Sequence, residues 1–193
     1  MMNYGETLAY WYLRLNGFFP ITNFVIHKSQ GVEFSADCDV LAIRPPLVYE
    51  EVGGKNEDWD HRLLEHINSG KTIGVICEVK TGEFEKKNLF RPAYVTYASK
   101  RLGITNADED IKRIAEGNAI EDVGDSYRVI KLFISNKEEA GNFIYMSLES
   151  IIQFLLDRIG KYPIEKYRDR MFFGSILFQG LIEIKKMREA LNL

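Results

Sequence analysis

Thr72-Ile73-Gly74-Val75-Ile76-Cys77-Glu78-Val79-Lys80, followed at once by Thr81-Gly82, is the stretch on which the fold turns. The apolar run from Thr72 to Val79 predicts a buried strand, and an acid and a lysine close it. Glu78 and Lys80 stand two apart, so on a strand their side chains point to the same face, separated by roughly 7 Å along the sheet. That spacing suits one divalent cation and one water. An acid and a lysine two apart should arise by chance roughly once in a chain of this length, and Glu85-Lys86-Lys87 and Glu183-Ile184-Lys185 repeat the spacing. The former falls in a polar stretch and the latter in an expected helix, where positions two apart do not share a face. Strand context sets Glu78 and Lys80 apart.

Upstream, Cys38-Asp39-Val40-Leu41-Ala42-Ile43 is a second strand-like run with an acid near its start. Mg²⁺ takes hard oxygen ligands, usually one or two carboxylates, and completes its shell with water and phosphate oxygens. Asp39 and Glu78 supply such a pair if their strands lie side by side.

Glu6 in a first helix, Asp39 on one strand and Glu78-Val79-Lys80 on the next together form an order that resembles the PD-(D/E)xK nuclease superfamily. The resemblance covers the first half of the chain directly and the second half through the order of its elements. Cys38 stands where the nominal motif has proline, and the helix after the lysine lacks the Gln that some branches carry. The resemblance implies an α/β restriction-endonuclease-like three-layer sandwich, with a central mixed four- or five-stranded sheet flanked by helices. It implies a Mg²⁺ ion, with Mn²⁺ able to substitute, held by Asp39, Glu78 and the backbone carbonyl of Val79. The catalytic set it implies is Lys80, Glu78, Asp39 and Glu6, with Lys80 orienting the attacking water. The function expected is a Mg²⁺-dependent nuclease hydrolysing phosphodiester bonds of DNA, in restriction, repair or defence against foreign DNA.

Two other readings stay open on the residues. The acids and the lysine also fit an ion-paired strand end, with Lys80 bridging Glu78 and Asp39, in a non-catalytic nucleic-acid or protein binding module that keeps the fold. Glu6 equally fits a capping box, three residues after an Asn3 N-cap and in a first turn where the helix dipole favours an acid.

The 193 residues, 46% hydrophobic and 12% aromatic, suffice for one domain with a sizeable core. No apolar run approaches the ~20 residues of a membrane span, and Met1-Met2-Asn3-Tyr4-Gly5-Glu6 lacks the basic and apolar regions of a signal peptide. A cytoplasmic protein without membrane contact is expected. A net charge of -3 argues against coating nucleic acid nonspecifically. Directly after the proposed site, however, Lys86, Lys87, Arg91, Lys100 and Arg101 run without an intervening acid, a segment that suits phosphate contacts or equally a solvated helix face. DNA is the expected partner. RNA stays open because the phosphate chemistry is shared, as does assembly as a homodimer or with a partner subunit.

Cys38 and Cys77 each precede a proposed ligand by one residue, so strand alternation places both thiols on the sheet face opposite the site, where reduced, buried thiols are expected in the cytosol and a cross-strand disulfide is the alternative. His61 and His66 lack a second ligand set, and nothing resembles a glycine-rich phosphate loop, a GxSxG elbow or an HExxH zinc site.

Around the central strand, a largely buried helix is expected over 3–16, stopped by Gly17, then strands over 24–28 and 37–43 about a Ser29-Gln30-Gly31 turn. Residues 45–71 read as an insertion between core strands, with a short helix near 60–67. Helices follow over 92–102 and 106–118, then a strand over 128–135 and an edge strand over 142–146. Ser147 caps an amphipathic helix to Ile159. A helical extension over 160–193 completes a single domain spanning 1–193.

Overall fold

A computed structural model describes residues 3–26, 36–49, 53–67, 70–162 and 175–191. In chain order the elements are α1 (Tyr4–Leu15), β1 (Phe19–Ile26), β2 (Ala36–Arg44), α2 (His61–Ile67), β3 (Thr72–Lys80), α3 (Pro92–Leu102), α4 (Asp108–Glu116), β4 (Ile120–Val123), β5 (Tyr127–Ser135), β6 (Ile144–Ser147), α5 (Leu148–Lys161) and α6 (Ile176–Ala190). The strands form one six-stranded mixed sheet. β1, β2 and β3 are successively antiparallel, whereas β3 and β5 run parallel. β3 reads as a near-continuous apolar run because, in the middle of the sheet, every residue from Ile73 to Val79 is buried.

Helices flank both faces, an arrangement compatible with a three-layer sandwich. Ile73, Val75, Cys77 and Val79 of β3 join a core with Leu8, Tyr12 and Leu15 of α1 and Ile151, Leu155 and Ile159 of α5. On the other face Ile76 packs with Val95, Ala98 and Leu102 of α3 and Ile114 of α4. α1 starts at Asn3, whose side chain accepts the Glu6 N–H, and gives way at Gly17 to a left-handed turn with φ +83°. Its first turn lies almost on the end of β3: a Cβ added at Gly5 would stand 2.4 Å from Thr81 Cγ2 and 2.9 Å from Val79 Cγ1. Only glycine permits that approach.

Six strands stand where four or five were expected. The additional one, β4, is only four residues long with two acids (Ile-Glu-Asp-Val), too short and polar to show alternation. It pairs antiparallel with the first half of β5 while β6 pairs parallel with the second half, so the two share one flank of the same strand. β1 begins at Phe19, five residues before the expected Phe24, and runs through Pro20. A proline is tolerated there because β1 pairs only with β2 among the described residues, leaving its other flank free of ladder bonds. The Ser29-Gln30-Gly31 turn lies outside the described residues. Within the 45–71 insertion α2 forms as expected, preceded by a 3₁₀ turn over Asn56–Asp58. In the C-terminal extension α5 runs to Lys161, and α6 rests on the first core through Leu177, Leu181 and Ile182. None of the described helices is long and apolar enough to cross a membrane.

Candidate active site

The two acids and the lysine meet where β2 begins and β3 ends. The β2–β3 register closes at Val40↔Cys77, one step short of Asp39 and Glu78. Beyond it the Asp39 side chain takes over the role of the ladder: Oδ2 accepts the Val79 N–H at 2.7 Å and the Lys80 ammonium at 3.1 Å. On the other flank the β1–β2 register steps from Thr22↔Val40 to Phe24↔Cys38, and Asn23, which faces Asp39, adopts φ +54°. The irregularity turns an acid sideways into the sheet edge.

Glu78 is 6% exposed. Its Oε1 accepts the Phe90 N–H at 2.6 Å, and its Oε2 lies 3.8 Å from Lys80 Nζ. Lys80 keeps a third of its side chain in solvent and spans both carboxylates. The Phe90 backbone is itself unusual, with φ +47°. A bulky residue there costs about 1–3 kcal/mol and persists only where its surroundings hold it. Here the Phe90 ring is buried against Phe143, with centroids 5.4 Å apart, and the amide is fixed by Glu78.

Burial pushes the Glu78 carboxyl above the ordinary glutamate range, the Asp39 charge adds to the rise, and the Phe90 N–H, Lys80 and Arg91 oppose it. The folded state therefore holds the Glu78 proton more tightly than the unfolded chain. The linked stabilisation is complete below the ordinary glutamate pKa and is lost as pH climbs through the raised one. Gln retains an acceptor for Phe90 without the buried charge, so Glu78→Gln should melt at or above the wild-type temperature at neutral pH. That advantage should shrink on acidification. Thermal melts across the acid-to-neutral range check this, and a Gln variant that melts well below wild type at neutral pH would refute it.

The site sits at the carboxyl ends of the parallel strands, where Lys80 pairs with Ser135 and Ser135 with Ser147. Two helices start at this edge: α1, through the Gly5 contact with Thr81, and α5, capped by Ser147. Both helices cover the sheet face opposite Glu78.

Asp39, Glu78, Val79 and Lys80 are thus brought together, and Glu6 is not. Its carboxylate accepts the Asn3 N–H at 3.1 Å, completing the capping box at the site's margin. Of the five expected phosphate-contacting cations, Lys86 pairs with Glu139, Lys87 with Glu85 and Lys100 with Asp108. The folded chain thus supplies acids that the 86–101 window lacks. Arg91 follows Phe90 directly and acts on the charge of Glu78. Arg101, exposed in the last turn of α3, is near the far end of that helix.

The cysteines depart from the expected placement. Cys77 does lie on the face opposite the site, in the core under α1, but Cys38 lies in the core under α3, on the same face as Glu78. Strand alternation fails for Cys38 beyond the point where the β1–β2 ladder is interrupted, between Asn23, with its positive φ, and Asp39. Its thiol takes the Tyr94 O–H at 3.0 Å and is pushed up to about 12, chiefly by burial. Both thiols are free, with the sheet between them. Phe90 is a further site neighbour that the sequence reading missed, whereas Arg91, expected as a phosphate contact, stands beside Glu78. The signal nearest to Phe90 is Pro92, which marks where α3 starts but not how the preceding chain turns.

Among the described residues no cluster of three or more His, Cys, Asp or Glu side chains could hold a metal, so a cation at the site would have two carboxylates. The donor chemistry still fits Mg²⁺, which commonly takes one or two carboxylates and several waters. Asp39 Oδ1 accepts no hydrogen bond among the described residues, and Glu78 Oε2 faces only the ammonium. The Val79 amide points at Asp39, and N–H and C=O of one strand residue share a flank, so its carbonyl turns the same way. A separate cavity of about 530 Å³ lies between Glu57–Arg62 and α5. Its buried acids Asp58 and Asp60 are paired with Arg158, Lys161 and Arg62.

No protein-family model, curated protein or solved structure matches the chain.

Proposed function

We propose that this chain is a Mg²⁺-dependent nuclease of the restriction-endonuclease-like fold, hydrolysing phosphodiester bonds of DNA. One observation carries the reading: Lys80 Nζ lies 3.1 Å from Asp39 and 3.8 Å from Glu78, at the carboxyl end of the strand that bears the motif. The element order supports it. A helix precedes three antiparallel strands, helices follow, and the next long strand returns parallel to the third.

Asp39, Glu78 and the Val79 carbonyl would hold the ion, which when bound neutralises phosphate charge and lowers the pKa of a coordinated water. Lys80, with three donors on a mobile stem, orients the attacking water and stabilises negative charge as it develops on the phosphate. Phe90 fixes one oxygen of Glu78 and leaves the other facing the site. Glu6 keeps α1 capped, and through Gly5 that helix seats the end of β3.

A binding module that keeps the fold without cleaving is the second reading, favoured by Lys80 itself. Its contact with both acids balances their charge without a metal. Incubation with plasmid, linear duplex, single-stranded DNA and RNA, with Mg²⁺ or Mn²⁺ and with chelator, separates the two. Wild type should cleave DNA only with the metal, and Lys80→Ala should lower the rate by about 10²- to 10³-fold. Undiminished cleavage by Lys80→Ala, or no cleavage of any substrate by wild type, would sink the nuclease reading, and cleavage of RNA alone would correct its substrate.

A further inference from the structure

Resting on that reading, we infer that Lys80 is the resident counter-ion of the carboxylate pair, which a divalent cation must displace, and that this displacement couples cation binding to the arrival of a phosphodiester. Asp39 Oδ2 and Glu78 Oε2 are the oxygens nearest the ammonium, at 3.1 and 3.8 Å, so a cation bridging these two atoms would take its place. A Mg²⁺ ion sits 2.0–2.1 Å from its oxygens and an ammonium near 3 Å, so both cannot occupy that gap.

The reason for such an arrangement lies in burial. Glu78 has little access to water, and its one protein hydrogen bond, from Phe90, leaves Oε2 facing only a charge partner. An unpaired carboxylate so placed is costly, and Lys80 relieves it while no metal is bound. Because a third of the Lys80 side chain is solvent-exposed, it can swing outward. Once displaced, the ammonium needs another anion. A phosphate oxygen arriving beside the exposed side of Lys80 would provide one. Metal and phosphodiester each then make room for the other, and by linkage the coupling is reciprocal.

Calorimetric titration of Ca²⁺, and separately Mg²⁺, into the full chain without nucleic acid tests this. Lys80→Met should bind the ion about tenfold more tightly than wild type, and Lys80→Arg, which keeps a cation in place, should bind as weakly as wild type. The metal-free Met variant should melt below wild type and recover more with Ca²⁺ than wild type does. Lys80→Gln serves as a second neutral variant if Met disturbs folding. Equal or weaker binding by the neutral variants overturns the inference and leaves the nuclease reading standing. Tighter binding by the neutral variants, with a wild type that cleaves nothing, supports the counter-ion role and sinks catalysis. Absence of binding to all variants overturns the inference, and the nuclease reading is then decided by the cleavage assay.

Discussion

Asp39→Asn should lower metal-dependent DNA cleavage by about 10²- to 10³-fold while the chain stays folded. Asn keeps a side-chain oxygen where the Val79 N–H needs an acceptor, a bond of 2.7 Å in the wild type, so the end of β3 remains tied to β2. What Asn lacks is the negative charge that would hold a cation and that now meets Lys80. Asp39→Ala makes the comparison sharper. It removes the acceptor as well and strands the amide of a residue only 4% exposed, an additional stability cost of about 1–3 kcal/mol. Initial rates on plasmid, paired with urea unfolding, distinguish the effects. An Asn variant retaining more than about a tenth of the wild-type rate would mean that Asp39 is a structural clamp rather than a ligand.

The largest stability effect is expected away from the site. Asp58→Ala should destabilise the fold by about 3–5 kcal/mol, because it leaves a buried cation unpaired. The Asp58 carboxylate has no solvent exposure and ion-pairs with Lys161 at 2.7 Å and with Arg158 at 3.1 Å, itself 3% exposed. It also accepts the Lys55 N–H at 3.0 Å and the Tyr162 O–H at 2.7 Å. These contacts fasten the 3₁₀ turn of the insertion to the end of α5. Burial works to raise the Asp58 pKa, but the bonds from Lys161, Tyr162 and Lys55 and the Arg158 charge outweigh it and hold the group below the ordinary aspartate range. The linked stability is therefore present above the ordinary aspartate pKa and fades as pH falls through the lowered one. The gap between wild type and variant should narrow over that acid window. Urea denaturation at neutral and acid pH measures it, and a neutral-pH loss under about 1 kcal/mol would show that the cluster contributes little.

Much of the architecture is legible in the sequence. β3 and α3 fall where apolar periodicity, Pro92 and Gly103 place them, and the caps at Asn3 and Ser147 act as their side chains suggest. The juxtaposition of Asp39, Glu78 and Lys80 followed from strand alternation on β3 and from adjacent strands. The same rule fails on β2, because alternation presumes regular backbone and the β1–β2 ladder is interrupted between Asn23 and Asp39, so Cys38 comes out on the wrong face. Glu6 illustrates another limit. A capping box and a ligand use the same residue at the same position, and only packing distinguishes them. The acids that meet the 86–101 segment lie outside it, Glu85 and Asp108 close by and Glu139 far along the chain, so a count within the segment does not show them. The Phe90 turn carries no local signature, since its left-handed backbone is held by a carboxylate and a ring from other parts of the chain.

Among the described residues no strand covers the outer flank of β1, which has a consequence for behaviour in concentrated solution. Phe19 and Ile21 on that strand are 67% and 52% exposed, the composition that invites another chain to add itself edge to edge. Pro20 withholds one amide from any such newcomer, and the left-handed Asn23 bends the strand out of the straight line that a growing fibril needs. Replacing Asn23 and Pro20 with β-branched residues removes both departures from regular strand and should raise edge-to-edge association.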